Sequence, residues 1–415
     1  MNKQINNNTV QRVYQIQISK SHPIYSTIDQ YSFYSKNLYN YANYIIRQEF
    51  INNHKYIKTN DMQKQLKTHE TFKQLGSQPS QKTLQLLDKN WQSFFKSIKS
   101  YSKYPDKFLG RPKLPKYKKK DGRFIVMLKN INFRIENGYI YFSFKPLKPF
   151  NNMFKINIPK CSKLIQLRFI PRNNIYNMEL VYEKEIIDTN DSKKPNKICG
   201  IDLGINNFAT LTNNIGIKPI IINGKIIKSI NQYYNKKLAY NKSILKKTNN
   251  KDWSNKLDKL TVKRNNKIKN YMHKASKQVI DYCVNNNLDT IVIGNNPEWK
   301  QNSTMRKKVN QTFVQIPYES FIKMIQYKAE DVGIKVILTE ESYTSGTSFL
   351  DNELPVKENY NKSRRVFRGL FKSNTGKLIN SDVNGSLQII KKVVPNVFNN
   401  YGIEGLDLTP MVICV

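Results

Sequence analysis

Residues 198–214 read ICGIDLGINNFATLTNN. An apolar run ends on Asp202, Leu203 and Gly204, a tight turn follows, and a second apolar run starts at Phe208. This is the pattern of two neighbouring strands joined by a short turn. Further on, LDTIVIGNN (288–296) reads as a buried strand, YESFIKMIQYKAEDVG (318–333) as a helix, IKVILTEE (334–341) as another strand and DVNGSLQIIKKVV (382–394) as a last helix. Between them, 225–287 reads as a long basic helical hairpin. Strands alternating with helices predict an α/β domain over 196–415. The polar stretch IDTNDSKKPNK (187–197) marks its upstream boundary.

Upstream of that boundary the pattern differs. Residues 10–19 read as a strand and 30–53 as a helix. In 80–101, Leu84, Leu87, Trp91, Phe95 and Ile98 recur at spacings of three and four, which predicts one apolar helix face, with Ser80 as its N-cap after Pro79. From 122 to 185 the period becomes two. Asn137-Gly138 between alternating runs signals a hairpin, and a second hairpin turns at Pro171–Asn174. The expectation is a multidomain α+β chain: a small β-barrel from 1–25 and 104–190, a helical unit inserted at 26–103, and the α/β domain.

Lys and Arg number 69 against 30 Asp and Glu, a net charge of +39. A compact fold with that excess repels itself unless a polyanion neutralises it, which points to a nucleic-acid partner. Lys113, Lys116, Tyr117, Lys118, Lys119 and Lys120, in a Pro-broken stretch, are candidate phosphate contacts. The four cysteines, Cys161, Cys199, Cys283 and Cys414, form no close pair. That excludes a thiolate zinc site of ordinary spacing and fits a reducing cytoplasm. No apolar run approaches the roughly 18 residues of a membrane span.

Three carboxylates stand at the ends of elements in the α/β region: Asp202 after a strand, Glu341 after another and Asp382 at a helix start. Taken singly, they read as a turn residue, a strand end and an N-cap. As a set they fit phosphodiester hydrolysis. Two divalent cations about 3.5–4 Å apart activate a water and stabilise the leaving oxyanion. Hard Mg²⁺, with Mn²⁺ as a substitute, prefers carboxylate oxygens. His22, His54, His69 and His273 are scattered and form no cluster.

GIDLGINNFATL (200–211), IVIGNNPEWKQ (291–301), TEESYTSGTSFLDNE (339–353) and INSDVNGSLQI (379–389) together resemble the TnpB/OrfB family of transposon-encoded proteins, relatives of the Fanzor proteins and the miniature type V CRISPR effectors. NLYNYANYIIRQEF (37–50), NWQSFFKSIKSY (90–101), GRPKLPKYKKK (110–120) and KNYMHKASKQVIDY (269–282) extend the resemblance over nearly the whole chain. It implies an RNA-guided DNA endonuclease: a wedge-like barrel, a helical recognition unit and a RuvC-like nuclease domain of RNase H type. Its partners would be a guide RNA and target DNA bearing a short flanking motif.

The chain departs from the family pattern twice. Many members carry a glutamate directly after the strand that here ends Ile291-Val292-Ile293, but Gly294-Asn295 follow instead. Glu341 matches an acid that some members supply from the later segment, with Glu340 and then Glu298 as alternatives. The missing acid also admits another class, a guide-directed DNA-binding regulator that does not cut. Second, Ser348, Arg368 and Phe371 stand where many members place zinc-ligating cysteines. The insertion at 342–380 is therefore expected to hold no zinc, leaving Arg364, Arg365 and Arg368 as nucleic-acid contacts.

Overall fold

Residues 9–186, 195–296, 307–367, 369–398 and 407–415 are described by the computed structural model, and contacts divide the chain into two units, Met1–Glu185 and Ile186–Val415. The first unit runs β1 (Thr9–Ile18), α1 (Tyr25–Asn53), α2 (Thr59–Leu66), α3 (Glu70–Leu75), α4 (Ser77–Lys103), β2 (Val126–Lys129), β3 (Phe133–Glu136), β4 (Tyr139–Phe142), β5 (Lys163–Arg172) and β6 (Ile175–Glu185). Leu84, Leu87 and Trp91 of α4 pack on Leu38, Tyr39, Ala42 and Ile46 of α1. The Trp91 indole N–H donates to Asn43 Oδ1 at 3.0 Å, so the polar edge of the largest core side chain is satisfied. Helix α4 begins at Ser77, earlier than its sequence suggests, because Pro79 needs no N–H partner in a first turn. Ser80 donates its hydroxyl to Phe72 O at 2.9 Å instead of capping α4.

The strands of this unit form an antiparallel sheet in the order β1-β6-β5-β2, with β3 and β4 as a separate hairpin. Both tight turns are left-handed, as their asparagines predict: Asn137 and Gly138 at φ 50° and 77°, Asn173 and Asn174 at 42° and 64°. The expected barrel does not close. A 3-10 turn at Asn130–Asn132 breaks the chain between β2 and β3, so β3 pairs only with β4 among the described residues. The two sheets share one apolar core through Leu167, Phe169, Ile140 and Phe142.

The second unit runs β7 (Ile198–Leu203), β8 (Asn207–Asn213), β9 (Ile220–Asn223), α5 (Lys225–Asn249), α6 (Asn255–Asn285), β10 (Thr290–Gly294), α7 (Lys307–Val314), α8 (Tyr318–Glu330), β11 (Lys335–Thr339), β12 (Arg365–Phe367), β13 (Leu370–Lys372), β14 (Leu378–Asn380), α9 (Ser381–Val393) and β15 (Met411–Ile413). Its main sheet has the order β11-β10-β7-β8-β9-β15. Strands β11, β10 and β7 are parallel, whereas β8 lies antiparallel to both β7 and β9. Helices cover both faces, which is why β7 and β10 read as continuous apolar runs. Cys199, Ile201, Ile291 and Ile293 pack on one side with α6 and α8. Ile198 and Val292 pack on the other with Val383, Leu387 and Ile390 of α9. No helix of the described residues is long and apolar enough to cross a membrane.

Candidate active site

Alternation along β7 sends Cys199, Ile201 and Leu203 to one face and Ile198 to the other. Asp202 therefore shares the face covered by α9. That helix is capped by Asn380, whose Oδ1 accepts the N–H groups of Asp382 at 2.9 Å and Val383 at 3.2 Å. Asp382 is thus relieved of the capping role its position suggests. Its Oδ2 accepts from Asn207 Nδ2 at 2.5 Å. One turn on, Gly385 leaves room for the neighbouring acid: a Cβ there would stand 2.9 Å from Asp202 Oδ2.

Glu341 follows β11, on the β10 flank of β7. Strand β10 pairs in parallel with β11 up to Gly294 and Thr339, and Asn295 N–H still donates to Thr339 O at 2.8 Å. Asn296 then grips the next residues. Its Oδ1 accepts the Glu341 N–H at 2.8 Å, and its Nδ2 donates to Glu341 Oε2 at 3.3 Å. A Cβ at Gly294 would lie 2.6 Å from Glu341 Cγ and 2.7 Å from Ile389 Cδ1, with Glu341 Oε1 closer still. The Glu341 side chain occupies the volume that a side chain at 294 would take. Glu340 has the opposite environment: it is exposed and paired with Lys392 and Ser342.

Asp202, Glu341 and Asp382 are each half-buried. The Asp202 carboxyl is held well above the usual range by burial, then by the charges of Glu341 and Asp382, with Arg365 opposing. Burial pushes Glu341 up to about 7, against the pull of Lys392. Glu341 Oε1 is sealed from solvent and has no hydrogen-bond partner. An unpartnered carboxylate oxygen beside two further acids fits a hard cation. Among the described residues, however, no three His, Cys, Asp or Glu side chains as they stand form a group that could hold a metal ion.

The basic segment at 113–120 lies along α1 instead of projecting as a loop. Lys36, Asn40, Asn43 and Arg47, on one face of α1, reach its main chain. Lys36 Nζ donates to Lys120 O at 2.7 Å, and Asn43 Nδ2 and Arg47 donate to Pro115 O at 3.0 and 3.3 Å. Asn40 makes a reciprocal pair with the Lys118 backbone at 2.8 and 2.9 Å. Lys113, Lys116, Tyr117, Lys119 and Lys120 remain exposed. Lys118 does not: its ammonium sits over the rings of Tyr39 and Phe124 at 4.7 and 4.8 Å.

In the insertion, Arg364 is bound to Glu353 at 2.6 Å with both side chains about 15% exposed, at 14% and 15%. The same Glu353 Oε2 accepts Ser348 N–H at 2.8 Å, and Phe371 is fully buried. Arg364 is therefore a tie within the insertion, not a free nucleic-acid contact. Arg365 is exposed, and its charge acts on Asp202. Arg368 and Glu298 lie outside the described residues. The sequence reading missed Asn207 and Asn296, although the Asn295-Asn296 pair beside the glycine that replaces an acid was a readable signal.

The family profile OrfB_IS605, described as a probable transposase, matches residues 179–300. A second, Cas12f1-like, TNB domain, matches 318–389. A TnpB-like protein, ORF457 of Acidianus two-tailed virus, is 24% identical over 403 residues, covering 88% of this chain and 83% of the relative. A solved Cas12f1–sgRNA–target DNA complex is similar at a TM-score of 0.53 and 15% identity, covering 88% of this chain and 82% of that one. At that identity the likeness shows a shared multidomain α+β fold. The first profile begins within β6, and the two then follow one another along most of the unit that holds the carboxylates, while the viral relative spans both units. Over these segments the chain is similar to the TnpB/OrfB family and to the miniature type V effectors.

Proposed function

We propose that the chain is an RNA-guided DNA endonuclease that hydrolyses phosphodiester bonds at Asp202, Glu341 and Asp382. One observation carries the reading: the Glu341 side chain fills the space of the missing side chain at 294, which returns a third acid to the neighbourhood of Asp202 and Asp382. The order β9-β8-β7-β10-β11, antiparallel then parallel, supports a RuvC-like domain of RNase H type. The first unit then reads as wedge and recognition helices, and the segment at 342–380 as an insertion held by Glu353 and Arg364 in place of zinc. The Cas12f1 neighbour is described with its sgRNA and target DNA, and a chain of net charge +39 suits the same two polyanions.

Asp202, Glu341 and Asp382 would hold two Mg²⁺ ions, which supply an activated water and a stabilised leaving oxyanion when bound. Asn296 and Asn207 hold the carboxylates of Glu341 and Asp382 in position. Arg365, exposed beside Asp202, offers a positive charge to the scissile phosphate. The test is to sequence the RNA that copurifies with the protein and offer a plasmid matching it, flanked by randomised sequence, with Mg²⁺. Cleavage confined to matched sites bearing one flanking motif supports the reading.

A second reading, a guide-directed DNA-binding regulator, draws on Gly294-Asn295, which put no acid directly after strand β10. Under that reading the protein binds the matched plasmid and leaves it intact in Mg²⁺ and in Mn²⁺.

A further inference from the structure

Helix α5 has an uneven surface. It carries seven lysines and no acidic residue in 25 positions. Ile227 and Ile230 turn inward to the core. Outward stand Ile226 at 36% exposure, Tyr233 at 61%, Tyr240 at 62% and Ile244 at 40%. At 100° per residue these four, with Lys237 and Lys247, fall along one stripe of the helix. The Lys237 ammonium lies 5.9 Å from the centre of the Tyr233 ring. Both tyrosine rings stand outside the core of this unit, on a helix that carries lysines and no carboxylate.

We propose that this face of α5 is a stacking platform for an unpaired nucleic-acid strand, RNA or DNA. Tyr233 and Tyr240 take bases on their ring faces, and Lys236, Lys237 and Lys247 neutralise the adjoining phosphates. Every base has a π-face, so two stacked tyrosines hold a strand without reading its sequence. The rings stand about 10 Å apart along the helix axis, close to the rise of three stacked nucleotides at about 3.4 Å each. Charge selects the occupant. A second copy that met this face with its own α5 would set seven lysines against seven with no carboxylate on either helix, whereas a phosphate backbone neutralises them. The proposal does not rest on the nuclease reading, because it needs only a polyanion and is measured without cleavage.

The experiment uses full-length protein washed free of nucleic acid in high salt. Photo-crosslinking with 4-thiouridine-substituted oligouridine and 4-thiothymidine-substituted oligothymidine should label α5 peptides at Tyr233 or Tyr240. The arm that labels more strongly distinguishes RNA from DNA, and a duplex of the same length should label neither. In fluorescence anisotropy, Tyr233→Ala with Tyr240→Ala should weaken single-strand affinity by about tenfold per ring. Tyr233→Phe with Tyr240→Phe should bind like wild type. Lys237→Gln with Lys247→Gln should make the dependence on salt shallower. Crosslinks absent from α5, or an alanine pair binding within twofold of wild type, would overturn the proposal. So would a wild-type dimer that the alanine pair turns into monomers with strand binding unchanged, since the face would then belong to a second copy.

Discussion

Gly294→Ala is the smallest change that probes how the third acid is placed. The new Cβ would lie 2.6 Å from Glu341 Cγ and 2.7 Å from Ile389 Cδ1, where ordinary carbon contacts are about 3.5–4.0 Å. Ile389 is fully buried in the packed core beneath α9, so the half-buried Glu341 side chain is the one that must yield, by about 1 Å. Displacements of that size in a catalytic constellation cost about 100-fold in rate. The overpacking itself costs about 1–3 kcal/mol of stability. The assay is cleavage of a guide-matched plasmid beside binding of the same DNA: cutting should fall about 100-fold and binding should persist. Moving the acid back, with Gly294→Glu and Glu341→Gly together, should cut faster than Glu341→Gly alone. A Gly294→Ala protein that cuts at the wild-type rate and melts at the wild-type temperature would refute the reasoning, because the carboxylate could then not be where the structure has it.

Three further outcomes follow from the same geometry. Burial raises the folded Glu341 carboxyl from 4.5 to about 7, so the folded state binds the proton more tightly and, in EDTA, stability should fall as pH rises between those values. Glu341→Gln should flatten that slope in thermal melts and leave the protein more stable than wild type above pH 7. Breaking the largely buried Arg364–Glu353 pair with Arg364→Ala should cost about 3 kcal/mol in chemical denaturation, while affinity for the copurifying RNA stays within twofold; a loss of RNA affinity with unchanged stability would return Arg364 to the nucleic-acid face. Asn40→Ala removes both hydrogen bonds to the Lys118 main chain, about 2 kcal/mol of local anchoring, and limited trypsin digestion should cut at Lys116–Lys120 faster than in wild type.

The local elements that sequence made legible were those whose signal is itself local. Asn137-Gly138 and Asn173-Asn174 turn because asparagine and glycine tolerate positive φ, and Leu84, Leu87 and Trp91 mark a buried helix face by their period alone. The different environments of Glu340 and Glu341 were also readable from their place after a strand. What was hidden depends on contacts distant in sequence. Nothing near Asp382 says that Asn380 would take the cap, and nothing near Lys118 says that Asn40 would clasp its backbone. Period-two patterning gave the strands of the first unit but not their closure, since a 3-10 turn between β2 and β3 leaves no period to read. The short strands β9 and β15 pair with each other at the sheet edge and carry too few residues for alternation to declare them.

The central claim is that Glu341 completes a cutting site, and one paired measurement addresses it most directly. Glu341→Gln keeps the shape of the side chain and its contact with Asn296 while removing the charge; Glu340→Gln removes only an exposed partner of Lys392. Both variants and wild type, each with its guide RNA, are given a matched plasmid in Mg²⁺, and cleavage and binding are read on the same DNA. The account predicts that all three bind, that wild type and Glu340→Gln cut, and that Glu341→Gln does not. Cleavage by Glu341→Gln at the wild-type rate, or a wild-type protein that binds and never cuts, would contradict it.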